Sequence, residues 1–229
     1  MTIFLIPTVL APDTQTDVLS PQVIEVIKNL NVFFVEDLRT ARRFISSLKL
    51  NKVIDELTFF ELNKDTPPEQ TMAQLKKLRT DAGIISEAGC PGIADPGAVA
   101  VNFAHQLGYK VSPLVGPSSI LLALMASGFN GQSFIFHGYL PIDKTARVKS
   151  LKSLEQTAKT KSQTQIFMET PYRNNQLFED MLQNLNPDTR LCVAANITAS
   201  DELIRTLTVK DWKKQKPDLH KKPTIFLLL

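Results

Sequence analysis

A chain of 229 residues that is 43% apolar and 21% charged, with a net charge of +3, has the make-up of an ordinary globular protein. It is long enough to bury a substantial core as one large domain or two small ones. No apolar run reaches the length of a membrane span, and the first residues lack the basic region and small-residue cleavage site of a signal peptide, so they read as a strand. Cys90 and Cys192 are far apart, and the three histidines are scattered. That spacing offers neither a disulfide framework nor a metal site, and two buried thiols in a reducing cytoplasm are expected.

The first half alternates short apolar strands with amphipathic helices. Residues 2–6 read as a strand. Ser20 has the chemistry of an N-cap with Pro21 at the first helical position, opening a helix to about residue 30. Residues 32–35 are a second strand, apolar on both faces, and the helix after it places Leu38, Ala41, Ile45 and Leu48 on one side. Residues 57–62 read as a third strand. Thr66-Pro67-Pro68-Glu69 has the form of a capping box opening a helix through Arg79. Residues 83–86 form a fourth strand, Asp95-Pro96-Gly97 caps a helix to residue 107, and residues 110–113 form a fifth strand. Strands separated by helices call for right-handed crossovers and a mostly parallel sheet.

Around Gly116-Pro117 the character changes. A helix through Ala126 leads to a strand at 133–137, a turn at 138–141, and a Lys/Thr/Ser-rich stretch at 144–162 that reads as a surface helix plus a loop. Then come a strand at 165–168, a helix at 171–185 and strands at 191–197, 203–208 and 224–229. Consecutive strands suggest a mixed sheet. Two α/β domains, 1–112 and 113–229, follow. Near the end Lys210, Lys213, Lys214, Lys216, Lys221 and Lys222 gather around Trp212. Such a run is either a solvated face or, with its aromatic, a surface for RNA.

Several enzyme classes drop out on motifs. The loop from Pro7 to Ser20 contains no glycine, so the dinucleotide fingerprint after a first strand is missing, and with it a Rossmann oxidoreductase and the most widespread methyltransferase fold. There is no phosphate-cradling P-loop and no Gly-x-Ser-x-Gly elbow. What remains is the loop Ser86-Glu87-Ala88-Gly89-Cys90-Pro91-Gly92-Ile93-Ala94-Asp95-Pro96-Gly97 after the fourth strand. Ligands of open α/β sheets bind at the carboxyl ends of strands, and small residues there let a ligand approach the backbone. Asp95 would cap the next helix, whose free N–H groups could meet a carboxylate. Gly116-Pro117-Ser118-Ser119 is a second such loop. By themselves, both are also compatible with tight connectors.

Taken in order, Pro7-Thr8, Glu36-Asp37-x-Arg39, Glu87-Ala88-Gly89-Cys90-Pro91 with Asp95-Pro96-Gly97, Pro113-Leu114-x-Gly116-Pro117-Ser118, Gly138-Tyr139-Leu140-Pro141 and Ile166-Phe167-x-Glu169-Thr170-x-x-Arg173 carry a likeness across nearly the whole chain. The chain resembles the tetrapyrrole-methylase-like superfamily of S-adenosylmethionine-dependent methyltransferases, and within it the small-subunit ribosomal RNA 2′-O-ribose methyltransferase I family. The resemblance implies two α/β domains with the cofactor cleft between them, usually in a homodimer, in the cytoplasm and off the membrane. It implies that Glu87, Ala88, Gly89, Cys90, Pro91 and Asp95, with Ser118 and Ser119, line the methionine end of S-adenosylmethionine. Met168, Glu169, Ala195, Asn196, Pro223, Thr224 and Ile225 would surround the adenosine. The chain departs from the family where Pro-Thr-Pro-Ile-Gly-Asn becomes Pro7-Thr8-Val9-Leu10-Ala11-Pro12. It departs again where Ala-Arg-Glu-Leu-Thr-Lys becomes Ala194-Ala195-Asn196-Ile197-Thr198-Ala199, and where Gly-Glu becomes Lys222-Pro223. The mouth of the site is therefore remodelled.

Methyl transfer is an in-line displacement in which positioning and desolvation supply much of the rate. A ribose hydroxyl also has a proton to lose. Glu36 or Asp37 is the expected base, and Arg39 and Arg173 are expected on substrate phosphate, which guanidinium groups grip in a bidentate way. Glu36-Asp37 could equally end a strand and cap a helix, and Arg173 could pair with Glu169 or Glu179. His105 reads as a core histidine, and His137 as the end of a strand facing the cleft. Three functions stay open: an RNA ribose methyltransferase, a methylase of a small molecule such as a tetrapyrrole, and a non-catalytic cofactor-binding protein.

Overall fold

The computed structural model describes residues 1–229 and divides into two compact units, Met1–Ser118 and Ser119–Leu229. In the first unit the strands are β1 (Thr2–Ile6), β2 (Val32–Val35), β3 (Thr58–Glu61), β4 (Ala82–Ile85) and β5 (Lys110–Pro113). They form one parallel sheet in the order β3-β2-β4-β1-β5. The division after residue 112 expected from sequence would cut through β5. That strand pairs with β1, Thr2 opposite Lys110 and Leu5 opposite Pro113, so it belongs to the first sheet.

The helices α1 (Gln15–Val18), α2 (Pro21–Asn29), α3 (Leu38–Ser47), α4 (Pro68–Lys77) and α5 (Gly97–Gln106) connect these strands. The central strands β2 and β4, covered on both faces, are continuously apolar, whereas the edge strands β3 and β5 carry exposed polar ends. Ile6, Phe33, Val35 and Ile85 pack under Val23, Ile27, Ala41 and Ile45 on one side. Ile3, Phe34 and Ile84 pack under Leu75, Ala100 and Ala104 on the other. The Ser20 hydroxyl accepts the Val23 N–H and opens α2 as its chemistry requires. The capping box at Thr66 does not form. Helix α4 begins at Pro68 with no side-chain cap, because the Thr66 hydroxyl is engaged with Asn63 and the Glu61 carbonyl. His105 is exposed and not in the core; the buried stripe of α5 is Gly97, Ala100 and Ala104, and the next residue turns out to solvent.

The second unit holds α6 (Ser119–Ser127), β6 (Phe134–Tyr139), α7 (Lys144–Lys161), β7 (Thr164–Met168), α8 (Asn174–Asn184), β8 (Arg190–Ala195), β9 (Leu203–Thr208), α9 (Val209–Trp212) and β10 (Thr224–Leu228). Its sheet runs β6-β7-β10-β8-β9. Only β6 and β7 are parallel, the rest antiparallel, so the sheet is mixed as expected. Leu151, Leu177, Phe178, Met181, Val193, Phe226 and Trp212 fill one face of it. Trp212, a candidate for stacking on RNA bases, lies in this core. It meets Phe178 edge-on at 5.5 Å and donates its indole N–H to the Leu191 carbonyl at 2.8 Å. The stretch after Asp143 is a single helix of 18 residues, capped by Asp143 and closed by Ser162 in the left-handed conformation, with no separate loop.

Candidate functional site

In the first unit the carboxyl ends of the parallel strands deliver the candidate residues together. Strand β1 runs into Pro7-Thr8, β2 into Glu36-Asp37, β4 into the 86–97 loop, and β5 into Gly116-Pro117-Ser118. The loops are bound to each other through backbone. Thr8 is buried; its N–H donates to the Gly89 carbonyl at 2.9 Å and its hydroxyl to the Ser86 carbonyl at 3.4 Å. The Cys90 thiol, half-buried, faces the Pro117 carbonyl at 3.3 Å. Gly116 is required: a Cβ there would stand 2.2 Å from two ring carbons of Pro7.

The 86–97 loop folds by repeated left-handed turns at Gly89, Gly92 and Ala94. Asp95 organises it. Its Oδ1 accepts the N–H of Gly92 at 2.8 Å and of Gly97 at 2.7 Å, so it closes its own loop; it is not the expected cap of α5, whose N-cap position is Pro96. Its other oxygen, Oδ2, is buried and accepts no well-formed hydrogen bond, the Ser86 hydroxyl being the donor near the carboxyl. Burial pushes the Asp95 carboxyl above its ordinary range, against the pull of the two N–H groups and the Ser86 hydroxyl.

Glu36 shares a small recess with Asp95, lined also by Leu62, Ile84, Ile85 and Ser86. Burial raises its carboxyl, the charge of Asp95 adds to this, and the Glu87 N–H opposes it. Asp37 is shifted in the opposite direction. It caps α3 by accepting the Thr40 N–H at 2.7 Å, and hydrogen bonds from Thr40, then the Arg39 backbone and charge, hold it low in full solvent exposure. Glu87 is raised by partial loss of water around its carboxyl and then by the charges of Asp37 and Glu36, with the Thr40 hydroxyl working against both. Thr8, Thr40 and Ser86 thus support the site; Thr8 and Ser86 stand in the motifs quoted from the sequence without a role of their own, and Thr40 was missed. Arg39 is exposed and makes no ion pair.

In the second unit, a second set converges at one end of the mixed sheet, where β7 and β8 end and β10 begins. Met168 stands opposite Ile225, and Ala195 opposite Thr224. Asn196 takes a left-handed turn, donates its backbone N–H to the Pro223 carbonyl at 2.9 Å and its side-chain amide to Asp201 at 2.8 Å. Glu169 is buried, and its Oε1 accepts from the Thr170 N–H at 2.7 Å and from Arg173 at 2.6 Å. Arg173, expected on substrate phosphate, is therefore engaged by Glu169. Ser119 lies at the start of α6. His137, on the edge strand β6, is 2.8 Å from the Gln165 side chain and is held by it.

The sequence model of the Tetrapyrrole (Corrin/Porphyrin) Methylases matches residues 11–212. The chain belongs to this family. It is a methyltransferase, and the resemblance carried by its motifs holds. Among relatives of this methylase, the ribosomal RNA small subunit methyltransferase I of Vibrio cholerae is 28% identical over 91% of this chain and 69% of its own length. That of Buchnera aphidicola subsp. Schizaphis graminum is 28% identical over 99% and 77%. Of solved structures, the methyltransferase CobJ superposes with a TM-score of 0.63 at 15% identity, covering 99% of this chain and 92% of its own, which establishes the shared fold.

The basic run near the C-terminus is mostly neutralised. Lys210 pairs with Asp188 at 2.7 Å, Lys214 with Asp211 at 2.9 Å, Lys216 with Glu179 at 2.7 Å and Lys222 with Asp201 at 3.7 Å. With Trp212 in the core, this segment loses the aromatic that had suggested an RNA surface and keeps only Lys213 and Lys221 outside ion pairs.

Proposed function

We propose that this methylase transfers a methyl group from S-adenosylmethionine to a ribose 2′-hydroxyl of ribosomal RNA. The observation that carries the reading is the Asp95 loop. A buried carboxylate oxygen that accepts no well-formed hydrogen bond, within a fold of small residues, fits the ammonium group of a zwitterionic amino acid, which a charged donor–acceptor pair would bind strongly. Glu87, Ala88, Gly89, Cys90, Pro91 and Ser118 make the rest of that surface. The end of the second sheet, at Met168, Glu169, Ala195, Asn196 and Pro223 to Ile225, is backbone-rich and suits an uncharged purine.

When bound, the cofactor supplies a methyl group activated on a sulfonium. The protein's part is to orient the hydroxyl and take its proton. Of the two expected bases, Glu36 is the better suited. A carboxylate raised by burial is a stronger proton acceptor than one held low, as Asp37 is by capping α3. Asp37 is assigned to the helix cap and to the field at Glu87. Arg39, exposed and unpaired beside them, is assigned to a substrate phosphate. Arg173 is assigned to Glu169. The names of the relatives support ribosomal RNA as the substrate class, and with it a cytoplasmic location. No helix is long and apolar enough to cross a membrane. A homodimer belongs to the same reading, supported by Phe134 and Ile135, exposed on the free edge strand β6; light scattering tests it.

The test is transfer of a tritiated methyl group to small ribosomal subunits, with calorimetry for the cofactor. Micromolar binding of S-adenosylmethionine that fails with Asp95→Ala, and label recovered as a 2′-O-methylnucleoside, are the expected results. Label on a porphyrin precursor and none on RNA would shift the reading to a small-molecule methylase. Cofactor binding without turnover on either would leave a non-catalytic binding protein.

A further inference from the structure

Helix α7 concentrates positive charge, of which only Arg147 and Lys144 meet a carboxylate, that of Asp180. Its 18 residues contain Lys144, Arg147, Lys149, Lys152, Lys159 and Lys161 against the single acid Glu155, a local net charge of +5. The whole chain carries only +3, so the other 211 residues are net negative by two. The two basic regions of the second unit are built differently. Four of the six lysines near the C-terminus are paired with carboxylates, whereas Lys149, Lys152, Lys159 and Lys161 are exposed and make no ion pair. Glu155 is turned away from them, accepting the Asn186 N–H at 2.8 Å and the Thr189 hydroxyl at 2.5 Å.

Spacing makes three of these lysines a stripe. Lys149 and Lys152 are three apart and Lys159 a further seven, positions that fall on one side of a helix and span about 15 Å along its axis. Opposite them, Arg147, Leu151 and Ala158 are buried. Arg147 fixes the helix to α8 through Asp180, Nε to Oδ2 at 2.8 Å, and donates to the Ile142 carbonyl at 2.6 Å. The stripe is therefore presented on a rigid support. Because α7 leaves the carboxyl end of β6 and returns to the start of the parallel strand β7, its first turns lie at the end of the sheet that carries Met168 and Glu169.

We infer that the lysine stripe of α7 is a docking track for the phosphate backbone of the RNA substrate, leading away from the site end of the second unit. The inference rests on the proposed RNA methyltransferase reading and adds to it the surface that holds the substrate. Lysines neutralising phosphates release counterions, so affinity falls linearly with salt on logarithmic axes, by a slope of about 0.7–0.9 per phosphate contacted. Such contacts position the RNA without reading its sequence.

The test compares binding of a short fluorescent RNA hairpin across a salt series to three proteins. These are the wild type, the triple variant Lys149→Gln/Lys152→Gln/Lys159→Gln and the triple variant Lys210→Gln/Lys214→Gln/Lys216→Gln. Glutamine keeps the helix propensity of lysine, and unchanged calorimetric binding of S-adenosylhomocysteine reports that each variant is folded. The stripe variant should lose about two units of salt slope and bind RNA at least about tenfold more weakly at low salt, while the C-terminal variant stays near wild type. Equal slopes in wild type and stripe variant would overturn the track and leave the RNA reading standing. A wild type that binds no RNA would overturn both, as would binding to phosphatidylglycerol vesicles alone.

Discussion

The Arg173 guanidinium lies 2.6 Å from the Glu169 carboxylate, one helical turn earlier in the chain, and Glu169 is almost wholly buried while Arg173 keeps a third of its side chain exposed. The same carboxylate oxygen caps the backbone at Thr170. The pair therefore fixes the turn that joins β7 to α8. Because the acid is the buried partner, it is the one that suffers if the other is removed.

Arg173→Ala should accordingly destabilise the protein by about 2 kcal/mol, because Glu169 keeps one N–H donor and loses the charge opposite it. Arg173→Lys should recover part of this, since a lysine restores charge without the planar fork. Thermal unfolding of the two variants is the measurement. If Arg173 instead worked on substrate phosphate alone, Arg173→Ala would melt with the wild type and lose only RNA affinity.

The alternation of strands and helices in the first half was legible because each buried strand is a short, continuously apolar run: Val32 to Val35 and Ala82 to Ile85 allow no other reading. The loops at Glu87 and Gly116 were legible as a candidate site only through their likeness to the family, since small residues after a strand also suit a tight connector. Pairing was not legible. Nothing in the spacing of Arg173 shows whether it meets Glu169 or a ligand, since both partners lie within reach of a helical turn. The free lysines of α7 and the paired ones near the C-terminus look alike in sequence. Their difference depends on Asp188, Asp201 and Glu179, which reach their partners only through the fold. Trp212 among lysines suggested a surface, whereas a short helix turns it inward against Phe178.

Gly116→Ala tests how closely the loops are fitted. The added methyl would overlap the Pro7 ring, a rigid group that cannot swing aside as a flexible side-chain tip can. Relief requires moving the backbone, at a cost of about 1–3 kcal/mol. The movement would carry Thr8 off the Gly89 carbonyl. Calorimetry should find S-adenosylmethionine binding weakened by about tenfold or more, with the second unit's far-ultraviolet signal intact. Wild-type affinity in a folded Gly116→Ala protein would mean that Pro7 and the Asp95 loop are not coupled.

The Arg147–Asp180 pair is buried on both sides, at 3% and 5% side-chain exposure. Breaking it by Asp180→Ala leaves a guanidinium in the core and should cost about 3–5 kcal/mol, visible as earlier urea unfolding of the second unit. A double change to Arg147→Met and Asp180→Leu removes both charges and should recover much of the loss, because well-packed apolar residues often replace such pairs at little cost. If the double variant were as unstable as Asp180→Ala, the loss would come from packing of α7 on α8 and not from the orphaned charge.

Glu36 carries the sharpest pH prediction. Its carboxyl is raised above the ordinary value of 4.5 by burial and by Asp95. Across the interval between the ordinary value and the raised one, the folded protein holds a proton that the unfolded chain has released. Stability from this group is thus present in acid and is lost as pH rises through the folded value. Glu36→Gln should therefore melt higher than wild type at pH 7, and the gain should vanish below about pH 4, where both proteins are neutral at this position. As the base, the same carboxyl must be ionised to act, so methyl transfer should rise with pH through its raised value and level off above it. Glu36→Gln should remove that limb and slow transfer by about 10²–10⁴-fold. Asp37→Asn should do neither, since asparagine caps a helix nearly as well and Asp37 is held low by its own cap. Equal rate losses in the two variants, or an unshifted acid limb in Glu36→Gln, would remove Glu36 from the role of base.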